Sequence, residues 1–192
     1  MSTLDVNALL REQWEEHWTG QVRPRLVGLT DEEYFWEPVP GCWNVRPRGT
    51  STAALQGGSG TMTIDFAFDA PSPEPVTTIA WRLGHLLVAV LGARNAAHFG
   101  GPPTDYLGYD YPTGAADALD RLDAATAAWS AGVASLGEEG LSRPCGPAEG
   151  DLAGRPFAHL VLLVHRELLH HLAEVCLLRD LHHHGRGEGV RR

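Results

Sequence analysis

The chain has 192 residues, a formal net charge of −9 and 43% apolar residues, enough for one well-buried core. That acidic balance disfavours nucleic acid and anionic membranes, both of which are met by clustered basic side chains. No run of about 18 uninterrupted apolar residues occurs, and the Met-Ser-Thr-Leu-Asp start has neither a basic region nor an apolar signal core, so the expectation is a cytoplasmic protein with small-molecule partners.

From about Leu4 to Leu29, Leu9, Leu10, Trp14, Trp18 and Val22 recur at helical spacing between charged residues, which predicts a first amphipathic helix disturbed near Pro24. Thr30-Asp31-Glu32-Glu33 supplies an N-cap and an acidic first turn for a short helix before Pro38. Residues 38–73 carry too many prolines and glycines for a long helix and predict a long irregular connection, with the alternation from Thr61 to Phe68 marking a short strand or hairpin. A connection of that length is usually functional or folded over the surface.

A second helix is predicted from about Val76 to Phe99, apolar nearly all round its centre as befits the middle of a bundle. A third runs from about Ala115 to Leu136, closed by Gly137, and a fourth from Pro156 to about Leu181. The expected fold is all-α, an up-and-down four-helix bundle with its long irregular connection between helices 1 and 2. Residues 1–184 would form the single domain and 185–192 a polar tail. Cys42, Cys145 and Cys176 are too few and too scattered for a disulfide framework, and read as buried or free thiols.

In the fourth helix Leu160, Val164, Glu167, His171, Glu174 and Leu178 share one stripe, so polar groups interrupt a core-facing row. Glu167 and His171, four apart, can reach one ion. His85, alone in the apolar middle of the second helix, is the donor expected to complete the set. Spacing alone leaves other readings open: His85 as a hydrogen-bonded core histidine, and Glu167 with His171 as a surface pair. His170 points about 100° away from its neighbour. His159 and His165 lie off the stripe, and His182-His183-His184 reads as a solvated tail following the helix.

Trp81-Arg82-Leu83-Gly84-His85-Leu86, Arg166-Glu167-Leu168-Leu169-His170-His171-Leu172-Ala173-Glu174-Val175 and Leu178-Arg179-Asp180-Leu181 resemble the DinB-like (DinB/YfiT-like) superfamily of metal-binding four-helix proteins, over nearly the whole chain. Many members have a third histidine where this chain has Glu167. The His/Glu/His set instead resembles the N-terminal domain of mycothiol-dependent maleylpyruvate isomerases, although nothing after His184 can supply their second domain. The resemblance implies that His85, Glu167 and His171 bind Zn²⁺, or another divalent ion such as Ni²⁺ or Mn²⁺. It also implies homodimers, as several members are dimers.

Characterised members include transferases using low-molecular-weight thiols. All fifteen basic residues are arginine, a mark of G+C-rich coding that favours mycothiol as the cosubstrate. The leading expectation is therefore a metal-dependent thiol S-transferase in which a metal-bound thiolate attacks an electrophilic small molecule. Two rivals are a metal-dependent hydrolase and a non-catalytic metal- or small-molecule-binding stress protein, the latter with Glu174 or His170 closing the coordination sphere. Arg82, Trp36, Trp43 and Trp81 are candidates for a pocket lining, with ordinary packing as the simpler reading of each.

Overall fold

Asp5 opens the first helix by accepting a hydrogen bond from the Ala8 N–H, at 2.9 Å, through its side chain. In the computed structural model, which describes residues 4–69 and 71–185, α1 (Val6–His17) runs without a break into a π-helical turn at Trp18–Val22 and then α2 (Arg23–Leu26). The π turn sits where the regular ladder fails: Pro24 has no N–H to give, and the Arg23 N–H reaches back five residues to the Trp18 carbonyl. The short helix α3 (Asp31–Tyr34) begins with a reciprocal capping box, Thr30 Oγ1 accepting from the Glu33 N–H and Glu33 Oε2 from the Thr30 N–H.

The long connection contains three short strands, β1 (Val45–Pro47), β2 (Leu55–Gly57) and β3 (Met62–Phe66), in an antiparallel sheet of order β1-β3-β2. Ile64 pairs with Val45 on one side and Gly57 on the other, and its fully buried side chain points at the second helical rod. Gly84 makes that approach possible, because a Cβ there would meet Ile64 Cδ1 at 3.1 Å.

That second rod is α4 (Ile79–His85), a π-helical segment Leu86–Gly92, and α5 (Ala93–His98). It starts three residues later than its apolar pattern predicts, because Thr77 bridges to Trp43 and Thr78, whose side chain accepts from the Trp81 N–H, is the N-cap. The third rod is α6 (Ala115–Ser142). Gly137 turns out of helical geometry (φ 57°) as a stop residue should, but the chain re-enters a helix that buries Gly140 and Leu141. A 3₁₀ turn at Pro147–Leu152 leads to α7 (Phe157–Gly185).

The described residues are thus mostly helical with one small sheet, and Trp14, Trp129, Leu86, Leu122, Leu160 and Leu168 belong to one buried cluster. None of their helices is long and apolar enough to cross a membrane. The three cysteines are buried free thiols.

The expectation of a tail after the helix is overturned for His182-His183-His184, and that of solvation for His182 alone, since His183 and His184 are exposed. With no breaker before Gly185, α7 continues through all three, and His182 falls on the buried stripe after Leu178, 5% exposed and packed edge-on against Trp36. Of the predicted polar tail, Gly185 ends α7 and residues 186–192 lie outside the described set.

Candidate metal centre

The start of α4 fixes the direction of everything after it. Thr78 donates its hydroxyl to Asn44 at 2.7 Å, and the Trp81 indole N–H donates to the Asp65 carbonyl of β3, also at 2.7 Å. His85, one turn on, stacks on Trp81 with ring centres 5.5 Å apart and planes 8° from parallel. Its Nδ1 meets the Tyr106 hydroxyl at 2.5 Å. Tyr106 comes from the loop between α5 and α6, seated over the sheet against Phe66. Gly57 of β2 admits it: a Cβ there would come within 2.4 Å of the Tyr106 carbonyl oxygen.

From α7, Glu167 and His171 face this histidine. The His85 and His171 rings are 4.8 Å apart and nearly perpendicular, and Glu167 Oε2 lies 3.8 Å from His171 Nε2. One donor atom from each of His85, Glu167 and His171 falls within 4.8 Å of the other two. Zinc bonds of about 2.0–2.2 Å at tetrahedral angles set donors roughly 3.4 Å apart, so these separations are within about 1.5 Å of what an ion imposes.

The ring nitrogens are sorted in the way ligation requires. With Nδ1 of His85 on Tyr106, and Nδ1 of His171 3.0 Å from Glu174 Oε2, each ring leaves Nε2 for the shared space. Burial, helped by His171, pulls His85 down to about 4, and burial also lowers His171 against the pull of Glu174. Both imidazoles are then neutral lone-pair donors at neutral pH. Burial likewise pushes the Tyr106 hydroxyl up to about 12, so it stays protonated.

Glu174 belongs to an outer layer. Its Oε2 accepts from Arg82 and lies 3.0 Å from His171 Nδ1, which Arg82 also approaches at 3.2 Å, and Oε1 stands 3.5 Å from His170 Nε2. Burial lowers Arg82 from its ordinary value and Glu174 opposes that pull. His170, His171 and Glu174 form an overlapping potential ligand group, but Glu174's pairing with Arg82 leaves His85 and Glu167 as the better company for an ion.

Two cavities flank the three donors. One, of about 260 Å³, is lined by His85, Glu167 and Arg94 with aliphatic walls. The other, of about 350 Å³, is lined by His171, Glu174, Arg82, Trp43 and Trp81. Of the candidate lining residues, Arg82, Trp43 and Trp81 are therefore in place, whereas Trp36 packs on His182 instead. His165 is buried between Trp14 and Trp129, and His159 is exposed. Sequence reasoning missed Tyr106 and Arg94. The first lies in a loop without periodicity, and the second is nine residues from His85, across the axis of a regular helix.

A DinB superfamily model matches residues 13–175, a span that includes both histidines, the glutamate and all four helical rods in large part. The chain belongs to the DinB superfamily. No curated protein and no solved structure matches it.

Proposed function

We propose that this DinB-superfamily chain is a metal-dependent enzyme joining a low-molecular-weight thiol such as mycothiol to an electrophilic small molecule, on an up-and-down four-helix bundle that holds the ion between α4 and α7. The supporting observation is that His85 and Glu167 line one cavity while His171 lines a second. A reaction of two organic substrates needs two approaches to one centre, whereas hydrolysis needs only one besides water.

His85, Glu167 and His171 are the ligands in this reading, and two imidazoles with a carboxylate suit Zn²⁺ best, Ni²⁺ and Mn²⁺ being the alternatives. A divalent ion bound there supplies Lewis acidity that makes a neighbouring S–H or O–H a stronger acid. The residues around it do the positioning. With an ion on each Nε2, the His85 Nδ1–H would donate to Tyr106 and the His171 Nδ1–H to Glu174, contacts that hold both rings in place. Arg82 balances the Glu174 charge, and Trp43 with Trp81 makes an aromatic wall for the larger reactant. The overall change is R–SH plus R′–X giving R–S–R′ plus HX.

The test mixes zinc-loaded protein with mycothiol and a panel of alkyl and activated-ester electrophiles. Thiol consumption above the protein-free rate, absent with His171→Ala, is the expected result. Consumption at the protein-free rate throughout removes the reading, and ester loss without thiol loss replaces it with hydrolysis.

A further inference from the structure

The 260 Å³ cavity contains a feature that holding an ion does not require. Arg94, at the start of α5, lines it beside His85 and Glu167 with its side chain 26% exposed. Its pairing is incomplete. One terminal nitrogen bonds the Ala89 carbonyl of its own rod, and the other is 3.5 Å from Glu149 Oε2. A committed charge-assisted bond is about 2.7–2.9 Å long. The other oxygen of that carboxylate is 2.9 Å from His98 Nε2, and Arg94 Nε, buried, has no hydrogen-bond partner among the described residues.

Beyond these contacts the terminal nitrogens of a half-buried guanidinium keep N–H groups that can hold a carboxylate. The remaining walls, Ala89, Val90, Leu163 and Val164, are aliphatic and carry no hydrogen-bonding side chain. The volume is below the roughly 300–1,000 Å³ of pockets for drug-sized ligands. We infer that Arg94 anchors the carboxylate of a short aliphatic acid in this cavity, which makes a small organic anion the electrophilic substrate. The inference rests on the two-substrate reading above for the word substrate, and on geometry alone for the anion. Arg94 holds one end of such a molecule while its chain lies along Val90 and Leu163 toward His85 and Glu167. The bulkier thiol then takes the tryptophan-walled cavity.

Ligand-observed NMR titration of zinc-loaded protein with propionate and with its neutral isostere propionamide decides the matter. Propionate is expected to bind at least ten times more tightly than the amide. Arg94→Gln is expected to erase that preference with zinc content and melting temperature unchanged, and Arg94→Lys to keep part of it. Should Arg94→Gln not fold, Arg94→Lys and the wild-type preference carry the decision. Equal binding of the two probes by wild type, or an undiminished preference in the folded Arg94 variants, overturns the inference. The readout is binding, so failure of thiol transfer would leave a positive result standing. The same titration on metal-free protein separates Arg94 from the ion, because an anion held by zinc alone would ignore the Arg94 variants and disappear with the metal.

Discussion

Among the described residues α7 takes part in three groups of two histidines and a glutamate, and two of them also draw on a second helix. One is His85, Glu167 and His171; the other, farther along, is His182 and His183 against Glu33 of α3, and each brings its donor atoms within 4.8 Å of one another. Their chemistry differs because their lone pairs are differently committed. Glu33 accepts Arg179 Nε at 2.8 Å on one oxygen and the Thr30 N–H at 2.7 Å on the other, and His183 also leans on it. Burial alone would raise that carboxyl, but the bonds from Arg179 and Thr30 outweigh it and hold it at about 2. Glu167 has an exposed neighbour in Arg166 on Oε1 and leaves Oε2 toward His171. The first cluster adjoins cavities and the second a capping box. Donor type and spacing are therefore not enough to make a metal site; uncommitted lone pairs and room for a ligand are also needed.

The contrast can be broken most forcefully at His171. His171→Ala should cost zinc affinity more than the roughly 10–100-fold typical of losing an outer-layer partner, with little change in the apo protein's melting temperature. Elemental analysis of unsupplemented wild type and variant reads this directly, and equal metal contents would refute the assignment.

Glu33→Gln should do the reverse, leaving metal content unchanged while lowering the unfolding free energy by about 3 kcal/mol in denaturant titration. The pH dependence follows from the same group. A carboxyl at about 2 in the folded chain and 4.5 in the unfolded one contributes stability that is complete above pH 4.5 and is lost as pH falls toward 2. Wild type should therefore lose more stability than Glu33→Gln across that interval, and parallel curves would remove Glu33 as the cause.

The smallest effect expected is at Tyr106. Tyr106→Phe removes the acceptor of the His85 Nδ1–H and should weaken zinc binding about tenfold, measured by chelator competition, with no counterpart at the second cluster.

Much of this was legible in the sequence. The four rods showed as apolar periodicity, the Thr30 cap as a motif, and the pairing of Glu167 with His171 as spacing along one helix face. What escaped depends on contacts far apart in the chain or on departures from regular helix. β1 and β2 are three residues each, too short for alternation, and exist because β3 pairs with both. Tyr106 is recruited by stacking on Phe66, and the burial of His182 requires α3 and Trp36 to be in place.

The π-helical segment Leu86–Gly92 lies between His85 and Arg94. In an unbroken α-helix nine residues subtend about 900°, which would aim the two side chains in opposite directions. One extra residue absorbed by a π turn makes the spacing act as eight, about 800°, and swings Arg94 to within roughly 80° of the histidine. Shortening this segment by one residue would let the rod relax to regular geometry with eight positions from histidine to arginine, about 800°, and so leave the arginine's bearing unchanged. The extra residue held in the π turn is therefore the phase shifter: regular helix over all nine positions would point the arginine away from the histidine and uncouple anion capture from ion binding.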